Sequence, residues 1–321
     1  MPCVGFKCPI ERIEADFDHF DTCTAGPGGR PAASPWMTRF AYEKENADLR
    51  HQGFNLTTTR TMGCPREQFI KVFLPYYTNP AAKAAADRGS ALHVMAAKYA
   101  PPGWITEIRD PVRMAVEGKL FKEDFPDDDG DGVTLSGLID AVNPGVQGLP
   151  WELVDWKFPK DWSIGFRGKN PLTNEIQMNI NRLLLAQQPW AIEEGYDPDT
   201  ALLTIWDHAI GKAEGPAPLV IKHVTEFEIL EARPFGGQYT VREIIETHLA
   251  IKDLIDEEGG EEALLAIKDT QRLMAMTAQI PMVGETQMNA SKCSSYCDVE
   301  YLCSKALRAH GRPVSQGETN A

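Results

Sequence analysis

Three side chains in one stretch have the types and spacing for phosphodiester chemistry: Asp140, Asp155 and Lys157, within LSGLIDAVNPGVQGLPWELVDWK. On a strand, residues two apart share a face. Leu153, Asp155 and Lys157 are therefore expected to point one way, and Val154, Trp156 and Phe158 the other. Asp140 stands near the end of the preceding strand, before NPGVQGLP, whose Pro and Gly residues suit a hairpin connection. That pairing predicts Asp140 within one or two residue pairs of Asp155. Two carboxylates taken out of water repel unless a cation lies between them, and hard oxygen ligands favour Mg2+ or Mn2+. Such a cation polarises a phosphodiester and acidifies a water, while an ammonium steadies the charge growing on the phosphoryl oxygens. An ion pair at a strand end is the plainer use of an Asp-x-Lys. The run Gly137-Leu138-Ile139-Asp140 across the same hairpin tips the reading toward catalysis.

The elements that must hold these residues are legible as changes of periodicity. Residues 1–57 are rich in Gly, Pro and Cys, as in TAGPGGRPAASP, and read as an irregular N-terminal extension. CPREQFIKVFLPYY and PAAKAAADRGSALHVMAAKYA carry helical spacing, the second with Leu92, Met95 and Tyr99 on one face and Pro101-Pro102-Gly103 as its stop. Strands are expected near 103–109, 113–122, 133–142 and 151–158. A helix follows in NEIQMNINRLLLAQQPW, with Ile176, Ile180 and Leu184 inward. ALLTIWDHAI and LVIKHVTEFEI read as two more strands. VREIIETHLAIKDLIDEEGGEEALLAIKDTQRLMAMTA reads as two helices parted by EEGGEE. The sequence thus predicts a mixed α/β core over 58–305 and a short tail over 306–321.

With its elements in that order, the chain resembles the RecB-like PD-(D/E)XK nuclease family, whose motifs run Gly-x-x-x-His, Gly-x-x-Asp, (Asp/Glu)-x-Lys and Gln-x-x-x-Tyr. Gly89 to His93 stands for the first, Gly137 to Asp140 for the second, Asp155-Trp156-Lys157 for the third, and Gln177 opens the fourth. Asn181 occupies the place where the family usually has Tyr. The resemblance implies a restriction-endonuclease-like core of a mixed β-sheet flanked by helices. It implies His93, Asp140, Asp155 and the Trp156 backbone carbonyl as ligands of Mg2+ or Mn2+, with Glu117 a further acidic candidate. Lys157 would be the catalytic lysine, and Gln177 would help position DNA or the site. A histidine such as His93 on a helix face also serves often as a hydrogen-bonded core residue.

Seven cysteines, an odd count, disfavour a disulfide framework. Cys293, Cys297 and Cys303 crowd into eleven residues, and Cys64 opens the helical core. The iron–sulfur subset of the same family, which includes AddB-type nucleases and the CRISPR-adaptation exonucleases, places one cysteine before the core and three after it. By that resemblance these four would hold a [4Fe–4S] cluster, a clasp joining the two ends of the core. Tetrahedral Zn2+ is the competing occupant. Cys3, Cys8, His19 and Cys23 have ligand-like spacing for a second small metal site, and equally suit a chain segment without metal.

Composition bounds the rest. At 43% hydrophobic residues the chain can bury a substantial core, and no apolar run is long enough for a membrane span. MPCVGFKCPIERIEADFDHF lacks a basic region followed by an apolar one, which predicts a cytoplasmic protein. A net charge of −14 argues against a basic coat for nucleic acid but permits a locally basic groove, for which Lys160, Arg167 and Lys169 are candidates. Asp127 to Gly132 resembles half of a calcium loop, but Leu138 stands where the bidentate Glu belongs. No Gly-x-x-x-x-Gly-Lys-Ser/Thr occurs, so a helicase or recombination partner would supply any motor. The expected function is a metal-dependent deoxyribonuclease, an exonuclease in preference to a site-specific endonuclease, in repair, recombination, or phage- or CRISPR-linked DNA processing. A DNA-binding scaffold that has lost cleavage is the alternative.

Overall fold

The computed structural model describes residues 3–7, 14–16, 56–58, 64–78, 80–116, 133–145, 148–158, 172–208, 218–224, 230–231, 238–239, 241–280 and 299–309. Its two compact units are 1–54, 63–87 and 247–321 for the first, and 55–62 and 88–246 for the second.

The first unit opens with strands β1 (Cys3–Lys7) and β2 (Glu14–Ala15). The second begins with β3 (Leu56–Thr57). Helix α1 (Pro65–Phe73) starts on Pro65, whose missing N–H costs nothing in a first turn, and carries a Glu67–Lys71 pair at 3.0 Å. Strand β4 (Tyr76–Thr78) pairs parallel with β1, which pairs antiparallel with β2. The N-terminal segment is therefore not wholly irregular: Cys3–Lys7 is strand, with Phe6 buried.

Helix α2 (Pro80–Lys98) leads to β5 (Ile105–Val116), β6 (Val133–Asn143) and β7 (Glu152–Lys157). The two strands expected over 103–122 are one strand as far as Val116, with a shift in register between Ile108 and Val112. Pro111 lies in that irregularity; lacking an N–H, it has no place in a regular ladder. Helix α3 (Leu172–Leu185) and the short α4 (Pro189–Glu193) precede β8 (Leu202–Asp207) and β9 (Leu219–Ile221). A small antiparallel pair, β10 (Leu230–Glu231) and β11 (Gln238–Tyr239), comes next.

The last helices are α5 (Val241–Glu257), α6 (Glu261–Leu265), α7 (Thr270–Gln279) and α8 (Glu300–Ala309). The single helix expected after EEGGEE is two, because Asp269 caps a new one, accepting the N–H of Gln271 at 2.9 Å. The core of the first unit joins Phe69, Ile70, Phe73 and Tyr76 to Ile251, Leu273, Met276 and Leu302. Each such side chain, fully buried, contributes about 1.5–3 kcal/mol.

The second unit is a mixed sheet in the order β3-β6-β7-β8-β9, with β5 on the other edge of β6. Helix α3 lies against it with Ile176, Ile180 and Leu184 buried, as their spacing predicts. Ala96 and Ala97 of α2 pack with Ala141, Val154 and Trp156. This is the α/β architecture expected, a mixed sheet flanked by helices. Strand β6 pairs with β5 along most of its length, so β3 and β7 share its other edge: β3 at Leu135 and Ser136, β7 at Ala141 to Asn143. Between those two partners no described strand pairs with this edge, and Asp140 stands at the fork.

Candidate active site

The geometry of the site follows from that fork. The β6–β7 ladder runs antiparallel through Asn143 with Glu152, Val142 with Leu153 and Ala141 with Val154, and ends there. Strand β7 continues alone beside β8, in parallel, as far as Lys157 with Asp207. The Trp156 N–H, beyond the last ladder pair to β6, donates to Asp140 Oδ2 at 2.9 Å. A side-chain carboxylate thus takes the place of a ladder acceptor. His93, on α2, brings Nδ1 to 3.3 Å from the same oxygen.

Asp155 and Lys157 share a face of β7, as the period of two requires. Lys157 Nζ donates to Asp155 Oδ1 at 2.8 Å and lies 2.7 Å from Oδ2. Oδ2 nevertheless makes no directed hydrogen bond to any described residue. Gln177, in the first half of α3, donates from Nε2 to Asp155 Oδ1 at 3.0 Å and accepts from Lys157 Nζ at 3.4 Å. Val154 and Trp156 face the other way, into the cluster with Ala96 and Ala97. Burial raises the pKa of Asp155 above the usual carboxylate range; Lys157 opposes this, the charge of Asp140 adds to it, and His93 opposes it weakly.

Gly137 gives the side chains of α3 room against β6. A Cβ there would meet Asn181 Oδ1 and Leu184 Cδ1, both at 2.8 Å, and Thr58 Cγ2 at 3.2 Å. The bare backbone lets α3 lie close to β6, and α3 carries Gln177. Asn181 is the small residue that this approach accommodates; it is buried, with Oδ1 lacking a hydrogen-bond partner among the described residues.

Two residues that sequence reasoning missed fix the helix. Asn179 donates to Glu175 O and Lys222 O and accepts from Val224 N, all within 3.0 Å. Arg182 donates to Pro198 O at 2.9 Å and Val224 O at 3.4 Å. The missed signal was polarity at positions α3 buries: a buried Asn or Arg must find partners, here main-chain carbonyls and an N–H.

Among the sequence candidates, the structure brings His93 to Asp140, and Asp155 to Lys157 and Gln177. No group of three or more His, Cys, Asp or Glu among the described residues is set to hold a metal ion. Cys64 is buried ahead of α1 and Cys303 is half-buried in α8, neither in a disulfide. Glu117, Lys160, Arg167, Lys169, the 127–132 loop, Cys8, His19, Cys23, Cys293 and Cys297 lie outside the described residues, as does the side chain of Cys3. No described helix is long and apolar enough to cross a membrane.

No family model matches the sequence, and no curated protein matches it. One solved structure similar to it is the crystal structure of SSO0001, 13% identical, covering 83% of this chain and 96% of that one at a TM-score of 0.39.

Proposed function

We propose that this chain is a divalent-metal-dependent deoxyribonuclease, an exonuclease of the RecB-like PD-(D/E)XK kind, acting on DNA in repair, recombination or mobile-element processing. The observation that carries the reading is the linked set on β7 and α3: Asp155 bonded to Lys157 and Gln177, with Asp140 and His93 at the adjoining fork. An ion pair alone would not need the Gln177 bracket or a second carboxylate close enough to raise the pKa of the first.

Asp140, Asp155 and His93 are donors of the types that a divalent cation takes, although they are not gathered as a ligand set among the described residues. Asp155 Oδ2 is a buried carboxylate oxygen that makes no directed hydrogen bond among the described residues, with Lys157 Nζ 2.7 Å away, and Asp140 is a second carboxylate whose charge Asp155 feels. Asp140, Asp155, His93 and the Trp156 carbonyl would hold it; when bound, the cation supplies Lewis acidity to the phosphodiester and acidifies a water. Lys157 would offer its ammonium to a phosphoryl oxygen that gains charge in the transition state. Gln177 holds the Asp155 carboxylate and the Lys157 ammonium in one arrangement.

The test is cleavage of single- and double-stranded DNA by purified protein with Mn2+. Progressive shortening from an end, lost in Lys157→Ala, supports the reading. Intact DNA with wild-type protein overturns it in favour of a scaffold. For the cysteines we infer a [4Fe–4S] clasp, supported by their order around the core. Anaerobically purified protein should be brown and lose the chromophore in Cys303→Ala; a colourless zinc protein would overturn it.

A further inference from the structure

Lys157 Nζ lies 2.7 Å from Asp155 Oδ2, the oxygen that makes no directed hydrogen bond among the described residues. An ammonium so placed stands on the approach a divalent cation would take, since Mg2+ holds oxygen at about 2.1 Å. Two positive charges crowded on one oxygen repel, the more so where burial lowers the dielectric. Asp155 is buried, so the Lys157 ammonium has to leave Oδ2 before a divalent cation can use it. Gln177 Nε2 donates to the other oxygen, Oδ1, at 3.0 Å, which keeps the carboxylate in place during such an exchange. Gln177 Oε1, 3.4 Å from Nζ, is a neutral acceptor and a weak substitute for a carboxylate.

A second carboxylate stands level with Lys157. Strands β7 and β8 run parallel and in register, Asp155 with Ile205, Trp156 with Trp206 and Lys157 with Asp207. Trp156 and Trp206 pack together on the α2 side of the sheet, so the residues that follow them, Lys157 and Asp207, face the α3 side. The His208 N–H donates to Lys157 O at 2.8 Å and locks the two strand ends at this register. Along the backbone, Asp207 is the nearer carboxylate: neighbouring strands lie about 4.8 Å apart, whereas Asp155, two residues back on β7, is about 6.6 Å away. Asp207 is buried at the end of β8. We propose that Asp207 is a positioning residue, the second seat of the Lys157 ammonium, to which it moves when a divalent cation takes Asp155 Oδ2. The inference rests on the nuclease reading and adds to that site a residue outside its four motifs. A carboxylate has about four lone-pair sites, so Asp207 can accept the ammonium while keeping other bonds.

The experiment is a double-mutant cycle, read by calorimetric titration of the full chain with Mn2+ in the absence of DNA. Asp207→Asn should weaken Mn2+ binding about tenfold, because the ammonium then has no charged seat to leave for. In the Lys157→Met background the same substitution should cost less than about threefold, the remainder being direct attraction between Asp207 and the cation. Lys157→Met alone should bind Mn2+ more tightly than wild type. If Asp207→Asn fails to fold, Asp207→Ser, small and uncharged, takes its place in the cycle. Equal losses in the two backgrounds would make Asp207 a ligand of the cation, and no loss in either would leave the lysine a single seat; each overturns the proposal. Weaker binding by Lys157→Met overturns it too. Mn2+-dependent cleavage without the coupling sinks the second seat alone, whereas the coupling without cleavage sinks the nuclease reading alone.

Discussion

Gln177 grips both halves of the Asp155–Lys157 pair, donating to Asp155 Oδ1 at 3.0 Å and accepting from Lys157 Nζ at 3.4 Å. It comes from a helix, whereas the pair comes from a strand, so it fixes their arrangement from outside. Gln177→Ala should reduce kcat about tenfold to a hundredfold, as loss of a group that orients ligands does. KM for DNA should hold. A change confined to KM would assign Gln177 to strand binding instead.

Asp155 is the group expected to set the acid limit of the proposed cleavage. Its folded-state pKa lies above its unfolded value, so the folded protein binds that proton more tightly. Ionised Asp155 therefore costs stability above its raised pKa, and protonation recovers it as pH falls through that value, because burial outweighs the Lys157 ion pair. Under the proposed function cleavage requires the ionised form, so it should fall on the acid side while this residue's contribution to Tm rises. Asp155→Asn should remove that contribution; an unchanged Tm profile in the variant would reject the assignment.

Mn2+ should raise the Tm of wild-type protein and not that of Asp155→Asn. At a hundred times its Kd, a ligand that binds only the folded state adds about 2.7 kcal/mol. Differential scanning calorimetry with and without chelator reads this independently of cleavage. Equal shifts in the two proteins would place the cation elsewhere.

Gly137→Ala should destabilise the protein by about 1–3 kcal/mol, the usual cost of forcing an extra carbon into a packed site. The clash is with Asn181 and Leu184 of α3, so the helix and its Gln177 should shift and cleavage fall with stability. Urea unfolding checks the first effect. Full stability would mean that Asn181 and Leu184 yield readily.

Much of this was legible in the sequence, for local reasons. The period of two put Asp155 and Lys157 on one face of β7, and the 3.6 period buried Ile176, Ile180 and Leu184. What escaped was non-local. Nothing in CVGFK announces a parallel partner at Tyr76–Thr78, far along the chain. The stripe Leu92, Met95 and Tyr99 has the spacing of a buried face, but spacing cannot say whether anything covers it. Asn179 and Arg182 drew no reading from the sequence, because their main-chain partners at Val224 and Pro198 are distant along the chain.

The fork in the sheet bears on how an inactive form should be made. Asp140 Oδ2 is the acceptor for a main-chain donor that no longer has a ladder partner on β6. Truncation to alanine would orphan that amide, at about 1–3 kcal/mol where it is shut off from water. Asparagine retains an oxygen for it while removing the negative charge. Catalytic silence in the alanine form would thus mix damaged architecture with lost chemistry, whereas the asparagine form keeps the two apart.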